Sequence, residues 1–152
     1  MHAFFWENGK LTDLGQVAWT GWQIAINNRG QVAGSRDNGR SGPAPPNPQR
    51  HRAFLWANGQ MSYLHTPRGA VGSNAYAIND LGQVVGTCEF GLGSHACLWE
   101  GGKVTDLGFL ATDPGGADAI PRSLNELGQI VGNSQHFMDF SHAVLWTRRS
   151  ST

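Results

Sequence analysis

Short apolar runs separated by turn residues recur along the whole chain. One motif opens with His-Ala, two apolar residues and Trp, as in "HAFFWENGKLTDLG" at 2–15 and "HACLWEGGKVTDLG" at 95–108. In both copies a Gly-containing pair separates two apolar runs. Asn-Gly in such a place is the strongest short signal for a β-hairpin, because both turn residues need positive φ. This motif therefore predicts two antiparallel strands, which we name c and d.

A second motif alternates with the first. It reads "IAINNRGQVAG" at 24–34, "YAINDLGQVVG" at 76–86 and "RSLNELGQIVG" at 122–132. Asn followed by two residues and Gly before Gln suits a tight turn that ends in a left-handed glycine. The motif predicts another hairpin, of strands a and b. Both motifs share a period of about 47 residues, so one repeating unit accounts for the chain.

The strands a, b, c and d of one unit predict a four-stranded antiparallel meander. The chain reads c d, a b c d, a b c d, a b c, which is thirteen strands in a single repeat-built β domain over residues 1–152. The unit boundaries are an incomplete unit at 2–15, units at 22–64 and 74–107, and an incomplete unit at 119–149.

Both faces of the predicted inner strands are apolar. In strand c of the second unit, Phe54 and Trp56 alternate with Ala53 and Leu55. A sheet with one solvated face would alternate apolar with polar residues instead, so these sheets must be covered on both sides. Meanders stacked face to face describe the blades of a β-propeller, and this all-β chain would hold about three of them. A β-trefoil-like arrangement with pseudo-threefold symmetry is the alternative.

About three blades are too few to close a ring, because propellers usually have four to eight. Open blade faces and unpaired strand edges would remain at both ends. The sequence therefore predicts a homo-oligomer, most simply a dimer, in which the first c–d hairpin joins the last a–b strands of a second subunit. Trp6 and Trp146 would then compete for one c position, and one of them should be displaced or loosely held.

The motif pair resembles a known family. "HAFFWENGKLTDLG" together with "AINNRGQVAG" is similar to the HAF-repeat proteins, bacterial proteins described as probable extracellular repeats, in which this pair occurs many times. The resemblance implies a repeat-built β architecture and an extracellular or cell-envelope location. It implies no established activity and no catalytic residues.

Charge and hydropathy narrow the range of partners. Lys plus Arg and Asp plus Glu number 11 each, so the chain lacks the basic surface that nucleic acid binding requires. The apolar runs are too short to span a membrane, and "MHAFFWENGK" lacks the pattern of a signal peptide. We expect neither nucleic acid nor a membrane as partner.

The two cysteines fall on neighbouring strands. Cys88 ends strand b and Cys97 lies in strand c of the same predicted unit, and a disulfide between them would need a specific Cβ geometry. Cys97 occupies the repeat position of Phe4 and Phe54, and a buried free thiol is the favoured interpretation.

Variable loops all fall at one end of the predicted meander, on one rim of the ring. The a–b and c–d turns are short and constant, whereas the b–c and d–a connections differ in every unit. Loops on a rigid scaffold commonly carry binding residues. The side chains of these loops that could bind a carbohydrate or a protein ligand are Trp19, Trp22, Arg40, His65, Arg68, Asp113, Asp118 and His136.

Catalytic signals are weak. His2, His95 and His142 share one repeat position, where Arg52 replaces histidine once, which indicates a structural role. No metal-ligand spacing, phosphate loop or nucleophile motif is present, so we expect no cofactor and a non-catalytic binding or assembly module. The alternative is a lectin or a carbohydrate-active hydrolase or lyase with rim carboxylates such as Asp113 and Asp139.

Overall fold

The computed structural model describes residues 2–17, 23–37, 51–110, 117–136 and 141–147. Within these ranges there are thirteen β-strands and no helix, and hence none with the length and hydropathy that a membrane-crossing helix needs. The strands are β1 (His2–Glu7) and β2 (Lys10–Gln16) in the first unit; β3 (Ala25–Ile26), β4 (Val32–Asp37), β5 (His51–Ala57) and β6 (Gln60–Tyr63) in the second; β7 (Gly72–Ile78), β8 (Val84–Phe90), β9 (Gly93–Glu100) and β10 (Lys103–Gly108) in the third; and β11 (Ala117–Leu124), β12 (Ile130–His136) and β13 (His142–Trp146) in the fourth.

Each unit is an antiparallel meander. The order β3-β4-β5-β6 forms one sheet, β1 pairs with β2 alone, and in the third unit β7, β8, β9 and β10 pair in sequence order. The fourth unit continues with β11, β12 and β13. The predicted sequence of strands, c d, a b c d, a b c d, a b c, is therefore confirmed.

The hairpin turns have the conformation that their sequences require. Asn8 and Gly9 have φ of 50° and 79°, and Asn58 and Gly59 have φ of 52° and 79°. Two successive residues with positive φ form the turn whose twist matches that of the flanking strands. In the third unit Gly101 and Gly102 have φ of 56° and 76°. The c–d turns thus follow directly from the Asn-Gly and Gly-Gly pairs.

Consecutive units stack through opposite faces of strand c, which we call the front and back faces. The front face of the first unit, with Ala3 and Phe5, packs on the back face of the second, which carries Val32, Phe54 and Trp56. The rings of Phe5 and Trp56 lie 5.0 Å apart between centroids. Apolar side chains on both faces are needed because each inner blade is covered twice.

The same stacking recurs at the next two junctions. Front-face residues Ala53 and Leu55 pack with the back-face Trp99 in one apolar cluster, and Leu98 packs with Trp146 in the next. A short parallel pairing between Ser94 and Asp118 also links the third and fourth units. The sheets remain open within the described residues, so closure of a ring stays a prediction.

The prediction of a buried free thiol is wrong, because Cys88 and Cys97 form a disulfide. Cys97 pairs with Gly86 and Cys88 pairs with His95, so the two cysteines are diagonal neighbours on one face of the β8–β9 hairpin. Their Cα atoms are 6.1 Å apart, within the range that a disulfide spans. Both are fully buried, as predicted for Cys97.

Candidate functional site

The structure describes some of the predicted rim residues. Trp19, Trp22, Arg40 and Asp113 lie outside the described residues, as does Asp139, so the predictions that rest on them stay predictions. Another predicted residue, His136, is the last residue of β12. The remaining predicted residues, which the structure describes in full, are His65, Arg68 and Asp118.

These three residues do not form one cluster with a common role. The exposed Asp118 accepts a hydrogen bond from the backbone N–H of Ser94 at 2.9 Å, so its carboxylate holds the third and fourth units together. The backbone carbonyl of His65 accepts a 2.6 Å hydrogen bond from Nε1 of Trp99, which ties the loop after β6 to the third unit. Arg68 is exposed in that same loop.

Histidine–aspartate pairs at the c–d strands are structural. Nδ1 of His2 lies 2.9 Å from Oδ2 of Asp13, and Nδ1 of His95 lies 2.8 Å from Oδ2 of Asp106. The other carboxylate oxygen of Asp13 accepts the backbone N–H of Gly15 at 2.7 Å. These bonds, that of His2 first, lower the pKa of Asp13. The carboxylates are thus engaged at the bulge that ends each hairpin.

The second unit replaces this pair as a whole. The guanidinium of Arg52 lies 4.4 Å from the centroid of the Tyr63 ring, a cation–π contact. Arg52 and Tyr63 occupy the positions of His2 and Asp13. One polar side-chain pair between strands c and d is thus replaced by another, which supports the structural role predicted for this repeat position.

A ladder of Asn side chains joins the a–b turns of successive units. Nδ2 of Asn27 donates to the backbone carbonyl of Asn79 at 2.9 Å, and Nδ2 of Asn79 donates to that of Asn125 at 3.0 Å. Each Asn also donates to the Gln four residues later, so Asn27 contacts Gln31 at 2.7 Å. Sequence reasoning assigned these residues only to the turn. Their recurrence in all three turns was the available signal.

An open cleft of about 440 Å³ lies between the second and third units. One wall is the front face of the second unit, with Leu55 and Ser62, and the other includes Val84 and Trp99 of the third. Tyr63 lies at the edge of the cleft, but it pairs with Phe54 on β5, so its ring is on the back face beside Arg52. Polar groups along the cleft are Arg29, Gln31, His65, Glu100 and Lys103. His65 is the predicted rim residue that lines it.

An equivalent cleft of about 380 Å³ lies between the third and fourth units. Leu98 and Thr105 line it at the repeat positions of Leu55 and Ser62. Trp146 occupies the position of Trp99 on the opposite wall. The cleft is therefore a property of the blade junction, repeated with the unit.

The larger cleft offers an apolar floor together with charged and neutral polar groups. Leu81 supplies exposed apolar surface, Arg29 and Lys103 supply positive charge, and Glu100 supplies a carboxylate. Oε1 of Glu100 accepts a 2.5 Å hydrogen bond from Nε2 of the buried Gln83, which fixes its direction. Among the described residues no group of three or more His, Cys, Asp or Glu side chains could hold a metal ion.

Comparison with solved structures identifies the fold. The chain is similar to the β-propeller domain of the Trilobed protease from Pyrococcus furiosus, described as having an open velcro topology, with 12% identity and a TM-score of 0.59. The match covers 95% of this chain and 40% of that one. The all-β, β-propeller fold class is thus confirmed. No family model and no curated protein matches the chain, so the resemblance to HAF-repeat proteins stays a prediction.

Proposed function

We propose that the protein is a non-catalytic binding module whose inter-blade clefts bind carbohydrate. The observation that supports this most is the recurrence of the cleft, at about 440 Å³ and 380 Å³, at two consecutive junctions. Both volumes fall in the lower part of the range of small-molecule sites. A repeated weak site gains avidity when its ligand is itself a repeating polymer.

The lining chemistry supports a sugar over a purely apolar ligand. A pyranose has an apolar face that packs on apolar side chains, and its hydroxyls need both donors and acceptors. Leu55 and the exposed Leu81 provide apolar surface, Glu100 an acceptor, and Lys103 and Arg29 donors. His65 connects this cleft to a variable loop, which would give each unit its own selectivity.

Two further observations support a non-catalytic role and an extracellular location, which we propose with it. The recurring His2–Asp13 and His95–Asp106 pairs are used to fix hairpins, with Asp13 and Asp106 also bound to backbone N–H groups. The disulfide between Cys88 and Cys97 is typical of proteins in oxidising compartments.

A glycan array followed by titration calorimetry tests the proposal. Lys103→Ala should weaken binding of the best glycan about tenfold, since a charge-assisted hydrogen bond contributes about 1.5–3 kcal/mol. Tyr63→Leu should leave it unchanged, because the ring lies on the back face of the second unit, beside Arg52. Arg122→Ala is the matched control, because Arg122 is an exposed cation whose guanidinium donates to Asn133 away from the cleft. Equal affinity in all three variants would refute the cleft as the site.

Turnover measurements address the hydrolase or lyase alternative. We expect no product from a panel of polysaccharides. Product formation by the natural sequence that disappears in Asp113→Asn would replace the binding module with an enzyme that uses rim carboxylates.

A further inference from the structure

We propose that two copies of this chain close a ring by strand replacement. The β1–β2 hairpin of one copy would pair with β12 of a second copy, in the position that β13 occupies. The exchange is reciprocal, so each copy gives one hairpin and receives one. This inference does not depend on the proposed carbohydrate function.

The first observation is an exposed apolar surface on the back face of the first unit. Phe4 and Trp6 are 58% and 68% exposed, and Leu11 is exposed beside them. At the same repeat positions, Phe54 and Trp99 are 0% and 3% exposed, because a preceding unit covers them. The back face of the first unit thus has the composition of a blade interface but no blade against it within the described residues.

The second observation is a matching surface on the front face of the fourth unit. Val131 is 47% exposed, whereas Val85 at the same repeat position is fully buried against the next unit. Ile26 on β3 and Ile24 just before it are also exposed, since the described part of the first unit has no a or b strand to cover them. The fourth unit carries those missing strands, β11 and β12.

Strand replacement would cover all these surfaces at once. With β1 paired to β12 of a second copy, Phe4 and Trp6 take the positions of Val144 and Trp146 against the third unit. Val131 of β12 then faces Ile26 of the incoming copy. The hairpin stays packed on its own second unit through Phe5, so only β13 has to leave.

β13 has the features of a strand that can be displaced from the edge of β12. It is five residues long and has no d strand beside it in the described residues. Leu145 and His142 are exposed, whereas in the first and third units the corresponding histidine is clasped by an Asp. β1 arrives with its own d strand, β2, and with the His2–Asp13 pair already made. β1 therefore completes the blade and β13 does not.

The Asn ladder also ends at the fourth unit. Asn27 and Asn79 each donate to the carbonyl of the Asn in the following unit. Asn125 donates to Gln129, and the described residues contain no following unit. In the closed ring the following unit is the second unit of the other copy. Its Asn27 carbonyl takes the position that would accept from Asn125. The occupant is a second copy because each exposed group has its counterpart at the other end of the same chain.

Light scattering on the full chain tests the inference with two Trp variants of opposite effect. The natural sequence should show twice the 16.4 kDa mass of one chain at micromolar concentration. Trp6→Ala should raise the dimer dissociation constant at least tenfold, because it removes the incoming anchor. Trp146→Ala should lower it, because it loosens β13. A monomer at high micromolar concentration, or equal weakening by both variants, would overturn the proposal.

Disulfide trapping gives a readout that does not depend on affinity. Asn133 lies opposite Ala143 in the β12–β13 pair, and Ala3 has the same repeat position as Ala143. The variant Ala3→Cys with Asn133→Cys should form a disulfide-linked dimer on oxidation, and a reductant should cleave that link. Asn133→Cys with Ala143→Cys, the matched control, should link within one chain. A first variant that stays monomeric, with the circular dichroism of the natural sequence, would contradict strand replacement.

Discussion

Removing the Asn79 side chain tests whether the Asn ladder holds the blades together. Asn79 is 4% exposed, and Nδ2 donates to Gln83 at 2.5 Å and to the Asn125 carbonyl at 3.0 Å. Oδ1 accepts the Gln83 N–H at 2.9 Å. At about 0.5–1.5 kcal/mol each, three bonds amount to about 1.5–4.5 kcal/mol. Asn79→Ala also leaves groups of the buried Gln83 unpaired, at about 1–3 kcal/mol. We expect a loss of about 3–4 kcal/mol in the free energy of unfolding.

Asn125→Ala is the matched control, because Asn125 has the same place in the repeat but is exposed. Its partners, the N–H groups of Leu127 and Gln129 and the Gln129 side chain, can be hydrated when the Asn side chain is removed. We expect a loss of about 1 kcal/mol there. Both variants are compared by urea unfolding, followed by Trp fluorescence, in the Trp6→Ala background so that self-association does not contribute. An Asn79→Ala loss no larger than that of Asn125→Ala would refute the reasoning.

Three further predictions concern the disulfide, the acid range and a glycine. Cys88 and Cys97 are nine residues apart, so reduction of their disulfide should lower the free energy of unfolding by about 2–3 kcal/mol through loop-closure entropy. Urea unfolding curves with and without reductant check this, and coincident curves would contradict it. Hydrogen bonds from Asn28 lower the pKa of Asp80 below 3.8 in the folded protein. The ionised Asp80 therefore stabilises the fold above pH 3.8, and this stabilisation is lost as the pH falls through the lowered pKa. The difference in free energy of unfolding between pH 5 and pH 3 should be smaller in Asp80→Asn, and an unchanged difference would exclude this linkage. A Cβ atom at Gly86 would meet the backbone of Asn74 on the paired strand β7, whereas the space at Gly91 is open. Gly86→Ala should therefore lower the midpoint of urea unfolding more than Gly91→Ala does. Equal midpoints would show that β7 can shift to accommodate the methyl group.

The polar side-chain pairs between strands c and d show where sequence reasoning stopped short. His2 and His95 were assigned to structure because they recur, and their observed pairs with Asp13 and Asp106 agree with that interpretation. That Arg52 and Tyr63 form the replacement pair was not predicted. The repeat alignment gives Arg52 its position, but the cation–π contact depends on the β5–β6 register that brings the ring under the guanidinium.

The candidate site was predicted at the variable rim, and the clefts observed lie between blades. A loop residue can be assigned to a rim from connection lengths alone, which is how His65 was found. Ser62, Glu100 and Lys103 belong to constant parts of the repeat and look structural in sequence. They line a cleft only because two units stack at a particular offset, and that offset is a property of packing.

The sequence by itself determined the strands, their order and the apolar faces of this protein. Period-two alternation and Asn-Gly turns are local properties, so the repeat fixes them without reference to distant residues. Only the tertiary structure decided the disulfide, the Asn ladder and the clefts, because each joins groups whose distance depends on how strands or whole units are placed. The exposure of Trp6 belongs to the same class, since an apolar repeat position becomes a surface only when no neighbouring unit covers it.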